Sequence, residues 1–283
     1  MRNRHIMSNF IKILFTFLCA TVLSALVITM IVKVTLLNGT FILYETRKVD
    51  YTAGIREEVA ARIQDEGRAS GLTPEVLKNA VPLIFIQNNV ENYIKCIYSG
   101  LPFQLSNQQL LNDSLQLTIE GYAEQQQIDL TPEVQQSVDK FKERAVEIAQ
   151  EYIELPYLIN FGNKAIRFKS TLNLILVMLL VTLLLLMLIM LKIKVTARHI
   201  RIRNFSYIFL ASGLTLTAFP LYFYLSGKIE RLGLTSKIMY QFVTDYLKTF
   251  LAIFIGIGGI FCIIAVIIWL FSEKMRRRIV RKK

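Results

Sequence analysis

Residues 170–191 read STLNLILVMLLVTLLLLMLIML, a run without a single charge that is closed by Lys169 on one side and Lys192 on the other. A hydrocarbon core about 30 Å thick takes roughly 20 helical residues to cross, so a run of this length and composition is a membrane span. Working outward, three further stretches qualify. Ile13 to Val32 lies between Lys12 and Lys33, Phe205 to Leu225 carries Pro220 near one end, and Thr249 to Phe271 carries Gly256, Gly258 and Gly259. The composition agrees: 53% of the chain is hydrophobic and its mean hydropathy is +0.44, above the roughly 45–50% apolar content of soluble domains.

The net charge of +12 invites a nucleic-acid reading, and the distribution of the charges argues against it. Residues 38–169 hold 13 Lys/Arg and 18 Asp/Glu, a net of −5, which leaves +17 for the remainder. That excess flanks the spans at Arg2, Arg4 and Lys12, at Lys192, Lys194, Arg198, Arg201 and Arg203, and at seven Lys/Arg from Lys274 to Lys283. Only Glu273 opposes these 15 cations. The positive-inside rule then puts all three segments in the cytoplasm and the acidic block outside, with no nucleic acid as partner. The same basic tail suits anionic lipid headgroups.

The chain therefore divides into a cytoplasmic amino terminus (1–12), a first span with its exit (13–37), an extracytoplasmic helical domain (38–169) and a second span (170–191). A basic cytoplasmic loop (192–204), a third span (205–225), an extracytoplasmic amphipathic segment (226–248), a fourth span (249–271) and a basic cytoplasmic tail (272–283) complete it. The first apolar run exceeds the 7–15 residues of a signal-peptide core and lacks an A-x-A site, so it is expected to stay as an anchor. Cys19 and Cys262 fall in spans and only Cys96 in the outer domain, so that domain has no internal disulfide, which favours a bacterial plasma membrane.

The 38–169 block reads as about five helices. Val134, Val138, Phe141, Ala145, Ile148 and Tyr152 follow 4-3-4-3-4 spacing behind a Thr131 cap and Pro132, which lines them along one side of a helix and into a core. Lys142 falls on its charged side. Leu83, Ile86, Val90, Tyr93 and Ile97 form a second stripe after Pro82, Leu111, Leu115, Thr118 and Tyr122 a third behind a Ser106 cap, and a further amphipathic piece covers about 50–69. Leu72-Thr73-Pro74-Glu75-Val76 recurs as Leu130 to Val134, a repeat that helix-start chemistry explains as well as duplication does. Between spans three and four, Leu234, Ile238, Phe242 and Tyr246 make an apolar face that suits either the membrane interface or the underside of the outer domain.

The search for chemistry excludes more than it finds. His5 and His199 both map to the cytoplasmic side, so the outer domain has no imidazole for a nucleophile system or a zinc site. Ser137-Val138-Asp139-Lys140 matches S-x-x-K without its companion elements, and Glu57-Glu58 and Asp65-Glu66 read as solvated surface. The spans hold no Asp, Glu, His or Arg, which removes the relay of a proton-coupled transporter. Their polar groups, among them Asn173, Thr182, Thr215, Thr217, Tyr222 and Tyr224, suit contacts between helices. The small residues Ala211, Ser212 and Gly213 in span three and Ala252, Gly256, Gly258 and Gly259 in span four are expected to bring those spans together.

The expectation is an all-α membrane protein: four transmembrane helices, with a helical extracytoplasmic domain inserted between spans one and two. No catalytic, metal or cofactor residue is assigned. The leading function is a non-enzymatic envelope protein whose outer domain binds a protein or ligand and couples it to a membrane partner. A subunit for small-molecule or lipid translocation, along the polar residues of span three and Pro220, is the alternative, and a lipid- or cell-wall-modifying enzyme comes third.

Overall fold

The computed structural model describes residues 2–69, 72–129, 131–154, 156–192, 198–234 and 236–280. Residues 193–197 of the basic loop, Leu130 of the repeated pentapeptide and 281–283 of the tail lie outside the described residues. Ten α-helices and a 3-10 turn make up what is described, with no strand among the described residues. They fall into two units: residues 1–36, 168–233 and 244–283 in one, and residues 37–167 with 234–243 in the other.

The first unit holds four helices long and apolar enough to cross a membrane, with apolar portions at Phe10–Val34, Phe168–Lys192, His199–Leu225 and Lys237–Ile279. They belong to α1 (Arg2–Val34), α8 (Pro156–Lys192), α9 (Arg198–Leu225) and α10 (Lys237–Val280). All four overrun the sequence boundaries, α8 and α10 by the most. α8 starts at Pro156, where a proline costs nothing at the first helical position, and α10 fuses the amphipathic segment with the fourth span into 44 residues. Hydropathy changes along 237–271, yet no Pro interrupts it and no Gly occurs before Gly256, so nothing ends the helix.

Small and hydroxyl residues set the packing in this unit. Ser212 of α9 donates to the Ala20 carbonyl of α1 at 3.0 Å, and the Cys19 thiol lies 3.8 Å from the Met190 sulfur of α8. Between α9 and α10, a methyl added at Gly258 would overlap the Thr217 hydroxyl and come within 2.8 Å of the Gly213 carbonyl oxygen. Spans three and four therefore do touch, and of their small-residue runs Gly213 and Gly258 are the pair that meets. Gly256 and Gly259 face open space, Ala211 and Ala252 are exposed, and Ser212 serves α1 instead.

The second unit packs α2 (Gly39–Lys48), α3 (Tyr51–Ala69), α4 (Pro74–Leu77), α5 (Leu83–Ser99), α6 (Gln108–Gln126) and α7 (Pro132–Ile153) around one core. Val138, Phe141, Ala145 and Ile148 are buried in that core, with Val134 and Tyr152 packed at its margin. The 134–152 stripe is thus an interior face, capped by Thr131, whose hydroxyl accepts from the Val134 N–H. Lys142 departs from its expected solvent position: its side chain is 18% exposed, and it donates to Gln116 of α6 at 2.9 Å, tying two helices together. Leu83 departs the other way and is 45% exposed. The repeated pentapeptide opens a four-residue helix in one copy and a 22-residue helix in the other.

Ser106 does not cap α6. Its N–H and hydroxyl donate to Asn89 Oδ1 at 2.8 and 3.1 Å, while Asn89 Nδ2 donates to the carbonyls of Phe85 and Ser106 at 2.9 and 3.0 Å. Asn89 is fully buried, and this closed set of bonds satisfies both its donors and its acceptor. Asn107 takes the cap position in the left-handed region at φ +53°.

Residues 234–243 complete the same core. Ile238 seats on Gly54, where a methyl would collide with it, and Phe242 packs on Tyr51 with ring centroids 5.1 Å apart. Glu58, expected on a solvated face, instead accepts from the Ser236 hydroxyl at 2.8 Å. Ser236 Oγ accepts in turn from the Met239 N–H at 3.1 Å, a carboxylate-backed cap at the positive end of α10. Glu57 is exposed as expected. Burial, reinforced by Glu58, pushes the Tyr51 phenol well above its ordinary range.

Candidate functional site

The helical unit carries a cleft of ligand size, and its walls follow from how α5 ends. Gly100 adopts φ +74°, a conformation that costs glycine little, and its N–H returns to the Cys96 carbonyl. Leu101 N–H reaches the same carbonyl at 3.2 Å, and Pro102 prevents the helix from resuming. The chain then turns back along α5, where Phe103 meets Tyr93 edge-on at 5.2 Å and Ser106 is caught by Asn89. A loop held at both ends in this way leaves a hollow of about 430 Å³ lined by Tyr93, Cys96, Ile97, Gly100, Leu101, Pro102, Phe103 and Glu154.

That volume lies in the 300–1,000 Å³ range of small-ligand sites. The lining is mainly apolar, with one thiol and one carboxylate. The Cys96 thiol points to Asn92 Oδ1 at 3.7 Å, and Glu154 accepts from the Gln150 amide at 2.8 Å. Leu101 stands at the rim, 65% exposed. Such a site offers an apolar side chain or small hydrophobe a mainly apolar floor, with Glu154 able to accept from a donor group. Next to it, Tyr98 turns its ring onto Gly39 of α2, and burial pushes its phenol up to about 12.

The residues weighed for chemistry are dispersed. Ser137 spends its hydroxyl on the Glu133 carbonyl at 3.1 Å, and Lys140 is exposed. Asp65 pairs with Arg68 at the surface. His199 begins α9 in the other unit, and the His5 side chain lies outside the described residues. No group of three metal-ligating side chains occurs among the described residues. In the apolar unit, Thr215 donates to the Ala211 carbonyl of its own helix at 2.9 Å. Asn173, Thr182, Tyr222 and Tyr224 are exposed, while Thr217 is half-buried beside Gly258.

Sequence reasoning missed Cys96 and Glu154 as a pair because they sit 58 positions apart, one on α5 and the other just past the end of α7. The Gly100-Leu101-Pro102 signal was available as a helix stop, though nothing in it announces a cavity. No protein-family model, curated protein or solved structure matches the chain.

Proposed function

We propose that this is a non-enzymatic multi-pass protein of the bacterial plasma membrane whose helical domain stands outside the cytoplasm. There it binds a protein or small ligand, and its spans connect that event to a membrane partner. The observation that carries the reading is α10. Its first residues, with Ile238 and Phe242, belong to the core of the helical unit, while the remainder from Thr244 belongs to the apolar unit. A change in how the domain packs therefore acts on the same helix that forms the fourth span. The cleft at the end of α5 is the binding position we favour, because it is apolar, loop-walled and fringed by the exposed Leu101. α8 buries only 11% of its apolar window against this chain, which leaves a long face for lipid or a partner helix.

A photo-crosslinking residue placed at Leu101 in the full-length protein tests the reading in native membranes. We expect a discrete protein or ligand adduct that Pro102→Asp, a charge placed on the exposed wall of the same cleft, abolishes without loss of the membrane-inserted protein. Absence of any adduct at Leu101, together with solute or lipid movement by the purified protein in liposomes, would favour the translocation reading instead.

A further inference from the structure

An apolar groove of about 230 Å³ runs between α9 and α10, walled by Ser206, Tyr207 and Leu210 on one helix and Ala265, Val266 and Trp269 on the other. Trp269 also lines a second hollow, of about 410 Å³, that continues along α10 to Lys274, Arg277 and Arg278. Two bonds fix the register of the helices here. Ser206 Oγ donates to the Ala265 carbonyl at 2.7 Å, and Ser272 Oγ to the His199 carbonyl at 2.6 Å.

Arg203 precedes Ser206 and Tyr207 by three and four residues, so it extends the α9 wall by one turn toward the basic end. Its Nε is buried and has no acceptor among the described residues, and the same holds for Arg201 Nε. A guanidinium N–H withdrawn from water without an acceptor is costly, which calls for an anion at this position. On α10, Glu273 accepts from Arg276 at 2.7 Å and Arg277 at 3.3 Å, whereas Lys274 and Arg278 make no ion pair among the described residues. The local charge is positive and its cations are not all spent.

We infer that this groove binds one anionic phospholipid, with its phosphate held by Lys274 and Arg278, Arg203 adding positive charge on the facing wall, and an acyl chain lying along the groove against Trp269. The apolar half of the site selects a lipid over a free anion, since a soluble phosphate leaves the groove between Leu210 and Val266 empty. A tryptophan at the junction of the two halves fits the depth of a headgroup, where indole rings concentrate. The inference requires the four apolar helices to stand in a bilayer. It does not depend on what the helical domain binds, so either proposal can fail alone.

Trp269 is the single tryptophan of the chain and reports the site directly. The full-length protein is reconstituted in phosphatidylcholine vesicles, and its fluorescence is followed as dibrominated phosphatidylglycerol or dibrominated phosphatidylcholine replaces the unlabelled lipid. We expect the brominated anionic lipid to quench at about fivefold lower mole fraction, a net headgroup preference of about 1 kcal/mol shared among these cations. Arg278→Gln, an exposed change that leaves packing intact, should reduce the preference, and Arg203→Gln with Lys274→Gln and Arg278→Gln should remove it. Lys248→Gln should leave it unchanged. Equal quenching by the two lipids would overturn the site, as would a preference that survives the triple change. Displacement by inorganic phosphate at constant ionic strength would show that a free anion suffices, and would overturn the lipid as occupant.

Discussion

Asn89 holds the loop that walls the candidate cleft, and its contribution is local enough to measure. Replacing it with Ala leaves the half-buried Ser106 N–H and hydroxyl without their acceptor, at a total cost of about 1–3 kcal/mol. Hydrogen exchange on the full-length Asn89→Ala protein should show lost protection at Ser106 and along the end of α5, and parent-like protection there would contradict the role given to Asn89. Tyr98, on α5 against Gly39 of α2, gives a pH signature. Its folded phenol titrates near 12, above its ordinary value of about 10. The stability it contributes is therefore complete below pH 10 and is lost as pH rises through 12. Alkaline denaturation curves should flatten over that window in Tyr98→Phe, and an unchanged slope would remove Tyr98 from the account. Neither residue announces its partner in the sequence. Asn89 and Ser106 stand 17 positions apart, Glu58 and Ser236 178 apart, and polar pairs brought together by folding leave no period to detect.

The helices themselves were legible, because burial imposes a 3.6-residue period on sequence and the 134–152 stripe obeys it. What was less legible is where elements end. The chain shows a change of hydropathy near residue 248, and hydropathy does not terminate a helix; Pro, Gly and caps do. The small-residue runs of spans three and four were read as equivalent, yet only Gly213 and Gly258 lie at the crossing. That distinction yields a matched pair of changes. Gly258→Ala forces a methyl onto Thr217 and should destabilise the helix pair by about 1–3 kcal/mol. Gly256→Ala meets nothing within 4 Å and should be neutral or gain up to about 1 kcal/mol from helix propensity. Denaturation in mixed micelles measures both, and equal behaviour of the two would remove the crossing from the account.

At the scale of the whole molecule, charge and hydropathy separate the chain into the regions that its biology must use. The acidic stretch of net −5 coincides with the folded helical unit, and the cations concentrate at Lys192, at the start of α9 and at the end of α10. At the other end of α9, Lys228 lies over the Tyr222 ring at 5.2 Å, and Glu230 accepts from Lys248 at 2.7 Å. Hydrogen bonding to that ammonium holds the Glu230 carboxyl below its usual range. This end carries aromatic groups and paired charge, which suit a membrane interface. The account of function turns on the helical domain and the basic ends lying on opposite faces of the bilayer. Single cysteines in a background lacking Cys19, Cys96 and Cys262 test it directly. Gln126→Cys and Gly233→Cys, both exposed, and Lys274→Cys, exposed at the basic end, are treated with an impermeant thiol reagent in sealed cells. We expect labelling at Gln126 and Gly233 and none at Lys274 until the membrane is permeabilised; labelling at Lys274 in sealed cells, with Gln126 protected, would contradict the account.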